Sequence, residues 1–308
     1  MTDGQGRQLA KILPMSSAAR SEPETRVEDL SEWDTVIVPD RGWFDLRLRE
    51  VWEYRDLIYL LFRRDLTATY KQTILGPLWF IVQPLMTSLV FWVVFGRIGK
   101  IVTHGVPQFL FFMSGIIVWN FFSTCLTKTV TTFSDNAAVF GKVYFPRLTV
   151  PLGVVMTNLL TFSIQFVVFL GFFAVAWYFG VPVHPNWRLC ILPLLLVQIA
   201  MLAIGCGCLV AALTVRFRDL VTVVTFGVQL WMYASCVVFP LSVIGPETRI
   251  WFILNPMVPI IEAFRYAFLG FGNITKTEML ISGGITTVIF VAGVLLFTRV
   301  ERTQADSV

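Results

Sequence analysis

A basic segment that contains Arg63, Arg64 and Lys71 is followed in the sequence by an uncharged stretch of 20 residues, 77–96. Twenty helical residues rise about 30 Å, which is the thickness of the hydrocarbon core of a bilayer. Pro77 suits the first turn of a helix, where its missing N–H is not needed. The stretch therefore predicts a transmembrane helix whose basic end lies on the cytoplasmic side.

Apolar segments recur along the chain, in which 56% of the 308 residues are hydrophobic and only 14% are charged. This composition is typical of a protein that crosses the membrane several times. Together with 77–96, five further segments predict an all-α membrane protein with six transmembrane helices: 108–127, 150–178, 189–215, 220–240 and 277–298. Four of the 24 basic residues lie in the N-terminal segment 1–40; of the other 20, 14 fall on the segments that this topology places inside and 6 on those outside, which predicts that both termini are cytoplasmic.

Residues 241–272 are apolar but do not fit a continuous span. Pro256 and Pro259 interrupt a helix, and the charged residues Glu262 and Arg265 would each cost about 2.5–3.5 kcal/mol near the centre of a bilayer. Two short re-entrant helices between spans five and six fit better, with Glu262 and Arg265 paired at i,i+3. The alternative is a seventh span, which would place the C-terminus outside.

The segments before the first span are polar or amphipathic. Residues 1–40 are polar and contain no signal peptide, which predicts a disordered cytoplasmic head that is either a docking element or a dispensable tail. Residues 41–76 alternate apolar and basic side chains at helical spacing, which predicts an interfacial helix on the inner leaflet or a helix packed on the protein. The predicted organisation is a head, an interfacial amphipathic helix, a transmembrane domain and a cytoplasmic tail: 1–40, 41–76, 77–302 and 303–308.

The sequence argues against several chemical functions. It contains no G-x-x-x-x-G-K-[ST] motif, so we expect no nucleotide bound through a P-loop. Asp, Glu and His are almost missing from the spans, which argues against a proton relay and a membrane enzyme. Cys206 and Cys208 are better explained by helix packing than by a metal site. Its basic residues indicate membrane topology and contacts with membrane lipids, not nucleic-acid binding. Energy for any uphill transport would enter from another subunit.

Two groups of side chains within the spans could line a path. Aromatic residues are abundant, and Trp79, Phe91 and Trp119 are candidates to stack on sugar rings along such a path, although packing is the simpler role for any of them. Uncharged amides also recur, and they predict either hydrogen bonds between helices or a hydrophilic path: Gln83, Asn120, Asn158, Gln165, Gln198 and Gln229.

Two further features concern contacts between elements. The small residues of Ala203-x-Gly205-x-Gly207 allow close helix contact, within one subunit or across a dimer. In the inner loop 134–147, Asp135 can cap a short helix, and Lys142 and Arg147 flank Tyr144 and Phe145. This loop is either a lever for a partner protein or a plain interfacial connector.

From about residue 55 onward, a series of short motifs occurs in a definite order. In order along the chain, they are Arg64-Asp65, Tyr70-Lys71, Leu75-Gly76-Pro77-Leu78-Trp79, Gln83-Pro84, Lys142-Val-Tyr-Phe-Pro-Arg147 with Pro151, Arg216-Phe-Arg218-Asp219, Gln229-Leu-Trp-Met-Tyr-Ala-Ser235 with Phe239-Pro240, Asn255-Pro256 with Glu262 and Arg265, and Val300-Glu301-Arg302 with Ala305-Asp306. With these motifs the chain resembles the ABC-2 type permeases that export lipid-linked polysaccharides. It departs from the family's pattern at Cys236, where the family usually has proline, and at Gln304, where it usually has an aromatic residue.

The resemblance implies a multi-pass permease of the bacterial inner (plasma) membrane. Two copies would form the channel as a homodimer, and two copies of a separate ABC ATPase would bind beneath them. ATP and Mg would then sit on the ATPase, with no cofactor in this chain. The substrate would be a polysaccharide on a polyprenyl lipid, such as O-antigen, teichoic acid or capsule.

The resemblance also gives roles to specific residues. The ATPase would contact the interfacial helix near 51–65 and five residues of the inner loop: Asp135, Lys142, Tyr144, Phe145 and Arg147. The cations Arg63, Arg64 and Lys71 would anchor a gate at the inner leaflet, near the anionic pyrophosphate of the substrate. Two alternatives stay open, which are an ABC-2 exporter of a drug or lipid, and a membrane scaffold or glycan-processing protein without an ATPase.

Overall fold

A computed structural model describes residues 48–71, 76–101, 103, 105–136, 140, 145–181, 183, 185–215, 217, 219–272 and 274–305. The predicted disordered head lies outside these residues. The described helices are α1 (Leu48–Glu53), α2 (Arg55–Lys71), α3 (Trp79–Phe91), α4 (Gln108–Val130), α5 (Thr132–Asp135), α6 (Thr149–Tyr178), α7 (Leu192–Thr214), α8 (Leu220–Ala234), α9 (Pro246–Ile253), α10 (Met257–Leu269) and α11 (Lys276–Ala305).

Five described helices are long and apolar enough to cross a membrane. They are α3 with its π-helical continuation Trp92–Ile98, α4, α6, α7 with its 3-10 entry Trp187–Ile191, and α11. Helices α9 and α10 form a pair bent by 100°, so the predicted short helices replace a continuous span in residues 241–272. The prediction of an all-α membrane protein is confirmed.

Helix α8 corrects one predicted boundary. A span over 220–240 was expected, but the helix ends at Ala234 and contains only 15 residues. Ser235 leaves the helical conformation, and Cys236 has a φ of 55°, in the left-handed region that a non-glycine residue rarely adopts. The apolar run continues through Val237 and Val238, so hydropathy alone could not locate this end.

Helix α4 lies at the centre of the core and is the most buried of the spans. Its side chains are apolar on nearly every face, as expected for a helix surrounded by other helices. Phe111, Phe112 and Phe122 are fully buried. Helix α6, in contrast, leaves Val167 and Val175 largely exposed on its outer face, as expected of side chains that meet lipid.

The small-residue stripe packs within the subunit. An added Cβ at Gly205 would lie 2.7 Å from Phe290 Cα in α11, and one at Gly207 would lie 2.6 Å from Thr129 Cβ in α4. Helix α7 therefore approaches both neighbours so closely that only glycine fits at these two positions. This contact within the chain accounts for the motif without a dimer.

Helix α2 packs on the protein along one face. Its Leu61 is buried, and a Cβ added at Gly153 of α6 would lie 3.2 Å from Leu61 Cβ. The opposite face leaves Tyr59 and Leu60 each 60% exposed. The buried face of α2 thus agrees with the prediction of a helix packed on the protein. The exposed apolar face agrees with the other prediction, a helix that lies in the membrane interface.

Candidate functional site

A polar groove runs between α3, α4 and α8. Its main part is a cavity of about 480 Å³. A smaller cavity of about 170 Å³ shares Thr127 and Thr225 with it and extends along α4 toward Thr131. We call the two cavities together the groove. The main part is lined by Gln83, Trp119, Asn120, Ser123, Thr124, Thr127, Thr225, Phe226, Val228, Gln229, Leu230, Met232 and Tyr233.

The hydroxyl groups of the groove offer acceptors more than donors. Thr127 Oγ1 donates to Ser123 O at 2.8 Å, and Thr225 Oγ1 donates to Val221 O at 2.8 Å. Because each hydroxyl has a single proton, these two oxygens keep only lone pairs for a ligand. The helices themselves thus turn this part of the groove into a row of hydrogen-bond acceptors.

Three amide side chains in the groove have no hydrogen-bond partner in the part of the chain that the structure describes. Among the described residues, Gln83, Asn120 and Gln229 make no side-chain hydrogen bond, and Gln83 and Gln229 are exposed. An amide that loses its hydrogen bonds in a fully apolar medium costs about 4–8 kcal/mol. Contact of these groups with lipid tails would therefore be unfavourable.

Of the three aromatic residues predicted to line a path, Trp119 lies in the groove. Its ring packs edge to face on Trp231 of α8, with the two centroids 6.3 Å apart. Trp119 is nevertheless only 4% exposed. Phe91 is also buried, but it does not line the groove and packs edge to face with Phe112 at 6.3 Å. Trp79 begins α3 and is 47% exposed, but it does not line the groove.

Four of the six predicted amides take one of the two expected roles, whereas Asn158 Nδ2 donates to Val154 O of its own helix at 2.8 Å. Gln83, Asn120 and Gln229 line the groove, whereas Gln198 Nε2 donates to Ser282 Oγ at 2.8 Å, between α7 and α11. The serine donates onward to Pro256 O at 2.8 Å, where α9 and α10 meet. The described structure thus shows one relay that joins helices and one set of amides that is open to the groove.

A buried ion pair lies beyond one end of the groove. Arg265 has no exposed surface, and its Nη1 lies 3.2 Å from Glu262 Oε1, as expected from their spacing. Its guanidinium also donates to Cys236 O and Val237 O, each at 2.7 Å, and stacks 3.7 Å above the ring of Phe111. This ion pair connects α10 to the chain after α8 and to the first turns of α4.

The predicted gate residues lie on α2, near the opposite end of α4. Arg64 Nε donates to Asp65 Oδ1 at 3.0 Å, and Arg64 Nη1 donates to Asn136 Oδ1 at 3.4 Å. Arg63 is exposed, and Lys71 is the last residue of α2. Arg64 therefore links α2 to the residue that follows α5.

The predicted coupling residues fall into three groups. Asp135 ends α5 and is exposed, and a helix that it could cap would begin outside the described residues. Phe145 is buried, and Arg147 stacks its guanidinium 5.0 Å above the ring of Phe140. The backbone N–H of Arg147 donates to Glu301 Oε1 at 3.0 Å, which joins the start of α6 to the end of α11. Lys142 and Tyr144 lie outside the described residues.

Sequence reasoning missed the hydroxyl side of the groove. Ser123 and Thr127 of α4 and Thr131, the residue directly after it, recur at intervals of four, so the two helical residues share one face and Thr131 continues it. That spacing was a usable signal. Only the fold, however, shows that this face meets Gln83 of α3 and Gln229 of α8.

Comparison with known proteins identifies the family. Residues 56–269 match the ABC-2 type transporter family. The chain is 29% identical over 266 residues to the O-antigen export system permease protein RfbA of Myxococcus xanthus, covering 85% of this chain and 98% of that protein. It is 28% identical to the protein of the same name from Klebsiella pneumoniae, over 82% of this chain and 94% of that protein. It is 24% identical to the polysialic acid transport protein KpsM of Escherichia coli, over 68% and 80% of the two chains. The chain therefore belongs to the ABC-2 type transporter family.

Proposed function

We propose that this chain is the permease subunit of an exporter that moves a lipid-linked polysaccharide across the bacterial inner membrane. ATP would be hydrolysed with Mg on a separate ABC ATPase subunit. Family membership and the names of the relatives support this proposal, and the groove within the membrane domain is the observation that carries it. The chain itself would serve transport and not catalysis.

The chemistry of the groove suits a glycan. Sugar hydroxyls donate hydrogen bonds readily, and the back-bonded hydroxyls of Thr127 and Thr225 present acceptors to them. The free amides of Gln83 and Gln229 can both donate and accept. Tyr233, which is 47% exposed, adds an aromatic surface on which the apolar face of a sugar ring can stack, whereas Trp119 is only 4% exposed and supports the wall from behind. A purely hydrocarbon substrate would leave all these polar groups without partners.

The groove also supports a homodimer. Gln83 and Gln229 are exposed on a single copy, where lipid would otherwise reach them. On the same side of α8, Phe226 is 62% exposed and Leu230 is 54% exposed. A second copy that packs against these apolar residues would close the groove into a channel and shield its amides from lipid. Each copy would then supply half of the path wall.

We place the ATPase beneath the end of the bundle that carries α2 and the loop after α4. Asp135 is exposed there, and Phe145 and Arg147 anchor the loop to the core. Arg63, Arg64 and Lys71 carry positive charge on α2 at this end, as expected for the cytoplasmic leaflet and for a gate that meets an anionic substrate. Both termini would lie on this cytoplasmic side.

The test is to deplete the protein and to measure lipid-linked glycans by mass spectrometry, with an assay for their sidedness. We expect a finished polymer to accumulate in the cytoplasmic leaflet and to decline at the cell surface. Re-expression of the wild-type chain should reverse both changes. Unchanged glycan pools would contradict the proposal and would direct attention to drug and lipid efflux.

A further inference from the structure

Lys128 occupies an unusual position on the central helix. Helix α4 is mostly buried, yet Lys128 is exposed and lines the smaller cavity of the groove with Thr127, Thr131 and Thr225. Among the described residues that line either cavity, Lys128 carries the only charge. A single cation therefore marks one end of an otherwise neutral polar groove.

The ammonium group has no anionic partner in the described part of the chain. The ion pairs found there join other residues, and none includes Lys128. Two carboxylates lie nearest in the fold or sequence: Asp135 is seven residues further on, about 10 Å along a helical path, and Asp219 directly precedes α8. Neither forms an ion pair with Lys128 among the described residues. The positive charge of Lys128 is thus available to a ligand.

Hydrogen-bond donors are scarce around this ammonium group. Thr131 Oγ1 donates to Lys128 O at 3.2 Å, and Thr127 and Thr225 also donate to carbonyls of their own helices. An anion in the smaller cavity would find only acceptors on these hydroxyls, whereas Lys128 offers up to three N–H donors. The two ends of the groove therefore differ in chemistry. Neutral hydroxyl-rich groups suit the main part, and an anionic group suits the position of Lys128.

We infer that Lys128 binds the phosphate or pyrophosphate group through which the exported glycan is attached to its lipid. This inference rests on the proposed function and assigns a binding residue within the same groove. The ligand is anionic and lipid-borne, so its phosphate would lie at the depth of the cytoplasmic head groups, where the predicted topology places this end of α4. In a homodimer, two such ammonium groups would face one substrate.

The simplest competing explanation is a lysine that only extends its charge into the interface and helps to orient the helix. Arg299 provides a matched control, because it is exposed near the end of α11, carries the same charge and lines neither cavity. Loss of a general topological or surface charge should affect Lys128→Gln and Arg299→Gln equally. Loss of a specific anion contact should affect only Lys128→Gln.

The experiment measures binding to the assembly purified from cells and reconstituted in phosphatidylcholine nanodiscs. The probes are polyprenyl pyrophosphate, the matching uncharged polyprenol, inorganic pyrophosphate and phosphatidylglycerol. We expect Lys128→Gln to weaken binding of polyprenyl pyrophosphate about tenfold to a hundredfold, as for one lost charged hydrogen bond. Lys128→Arg should retain most of the affinity, Arg299→Gln should be unchanged, and polyprenol should bind all variants equally.

Three results would overturn the inference. Equal binding of polyprenyl pyrophosphate by the wild-type chain and Lys128→Gln would exclude the contact. Equally strong Lys128-dependent binding of phosphatidylglycerol would assign the residue to ordinary anionic lipids, and equally strong binding of inorganic pyrophosphate would assign it to a soluble ligand.

A cellular experiment separates this inference from the proposed function. If depletion of the protein causes lipid-linked glycan to accumulate, but Lys128→Gln restores export as well as the wild-type chain does, only the role of Lys128 is refuted. If depletion causes no accumulation, the proposed function itself fails. Immunoblots of the membrane fraction show whether each variant is present at the wild-type level.

Discussion

Replacement of Arg265 by methionine tests the role of the buried ion pair. In the native structure the guanidinium lies 3.2 Å from Glu262 Oε1 and 2.7 Å from both Cys236 O and Val237 O. Methionine approximates the stem of the side chain but provides no donor. The variant therefore leaves one carboxylate and two backbone carbonyls without their arginine partner, and it removes the stacking contact with Phe111.

The expected loss of stability is large. Breaking a buried ion pair by removing one partner costs about 3–5 kcal/mol, and each buried group left without a hydrogen bond costs about 1–3 kcal/mol. Because these contributions overlap, we expect Arg265→Met to lower the free energy of unfolding by about 5 kcal/mol. For a chain of this size that corresponds to roughly 10–20 °C in the melting temperature. The measurement is thermal unfolding of the detergent-solubilised protein, followed by tryptophan fluorescence.

Two companion variants make the experiment specific. The double variant Glu262→Gln/Arg265→Met also removes the stranded charge, so it should be more stable than Arg265→Met by about 1–3 kcal/mol. Arg249→Met breaks a more exposed ion pair, whose Nη2–Oε1 distance to Glu278 is 2.9 Å, and should cost only about 1 kcal/mol. If Arg265→Met unfolds within about 3 °C of the wild-type protein, the ion pair is not important for stability and the reasoning is refuted.

Three further predictions test other parts of the structure. Gly205→Leu should sharply lower the yield of monodisperse protein, because the new side chain would meet the backbone of α11. Gly171→Leu should be tolerated, because the space around its Cβ position is open. Size-exclusion chromatography compares the two variants. Gln229→Leu should reduce glycan export about two- to tenfold at an unchanged protein level, as for one lost neutral hydrogen bond, and full export would remove this amide from the path. Arg64→Glu should reduce export while membrane insertion stays intact, because it removes the donor to Asn136 and reverses a charge on α2. Normal export at the wild-type protein level would exclude Arg64 from the mechanism.

The membrane helices could largely be predicted from the sequence, because burial in lipid imposes a simple condition on length and polarity. Uncharged runs such as 77–96 are long enough to cross a bilayer and have no competing explanation. The short helices α9 and α10 could also be predicted, since Pro256 and the charged residues Glu262 and Arg265 are costly in a continuous span. In both cases a local property of the chain decides the structure.

The end of α8 and the groove depend on contacts that no local pattern contains. Helix α8 ends at Ala234 although the following residues remain apolar, and Arg265 binds the carbonyls that follow this end from 28 or 29 positions further along the chain. Similarly, Trp119 and Phe91 have equivalent apolar surroundings in the sequence, yet only Trp119 faces the groove. Which face of a helix meets a cavity is a property of the packed bundle.

The packing of the groove walls indicates which of them can move. Helix α4 is buried along most of its length and is anchored near both ends, by the contact of Phe111 with Arg265 and by the contact of Asn136 with Arg64. All residues of α8 are among those that the structure describes, and only Val228 of this helix is buried. An element with few buried contacts opens at a lower free-energy cost than a core element. We therefore expect the groove to widen by displacement of α8, together with the second copy that packs on its exposed face, against a fixed α4, with Arg265 holding the chain beyond the end of α8.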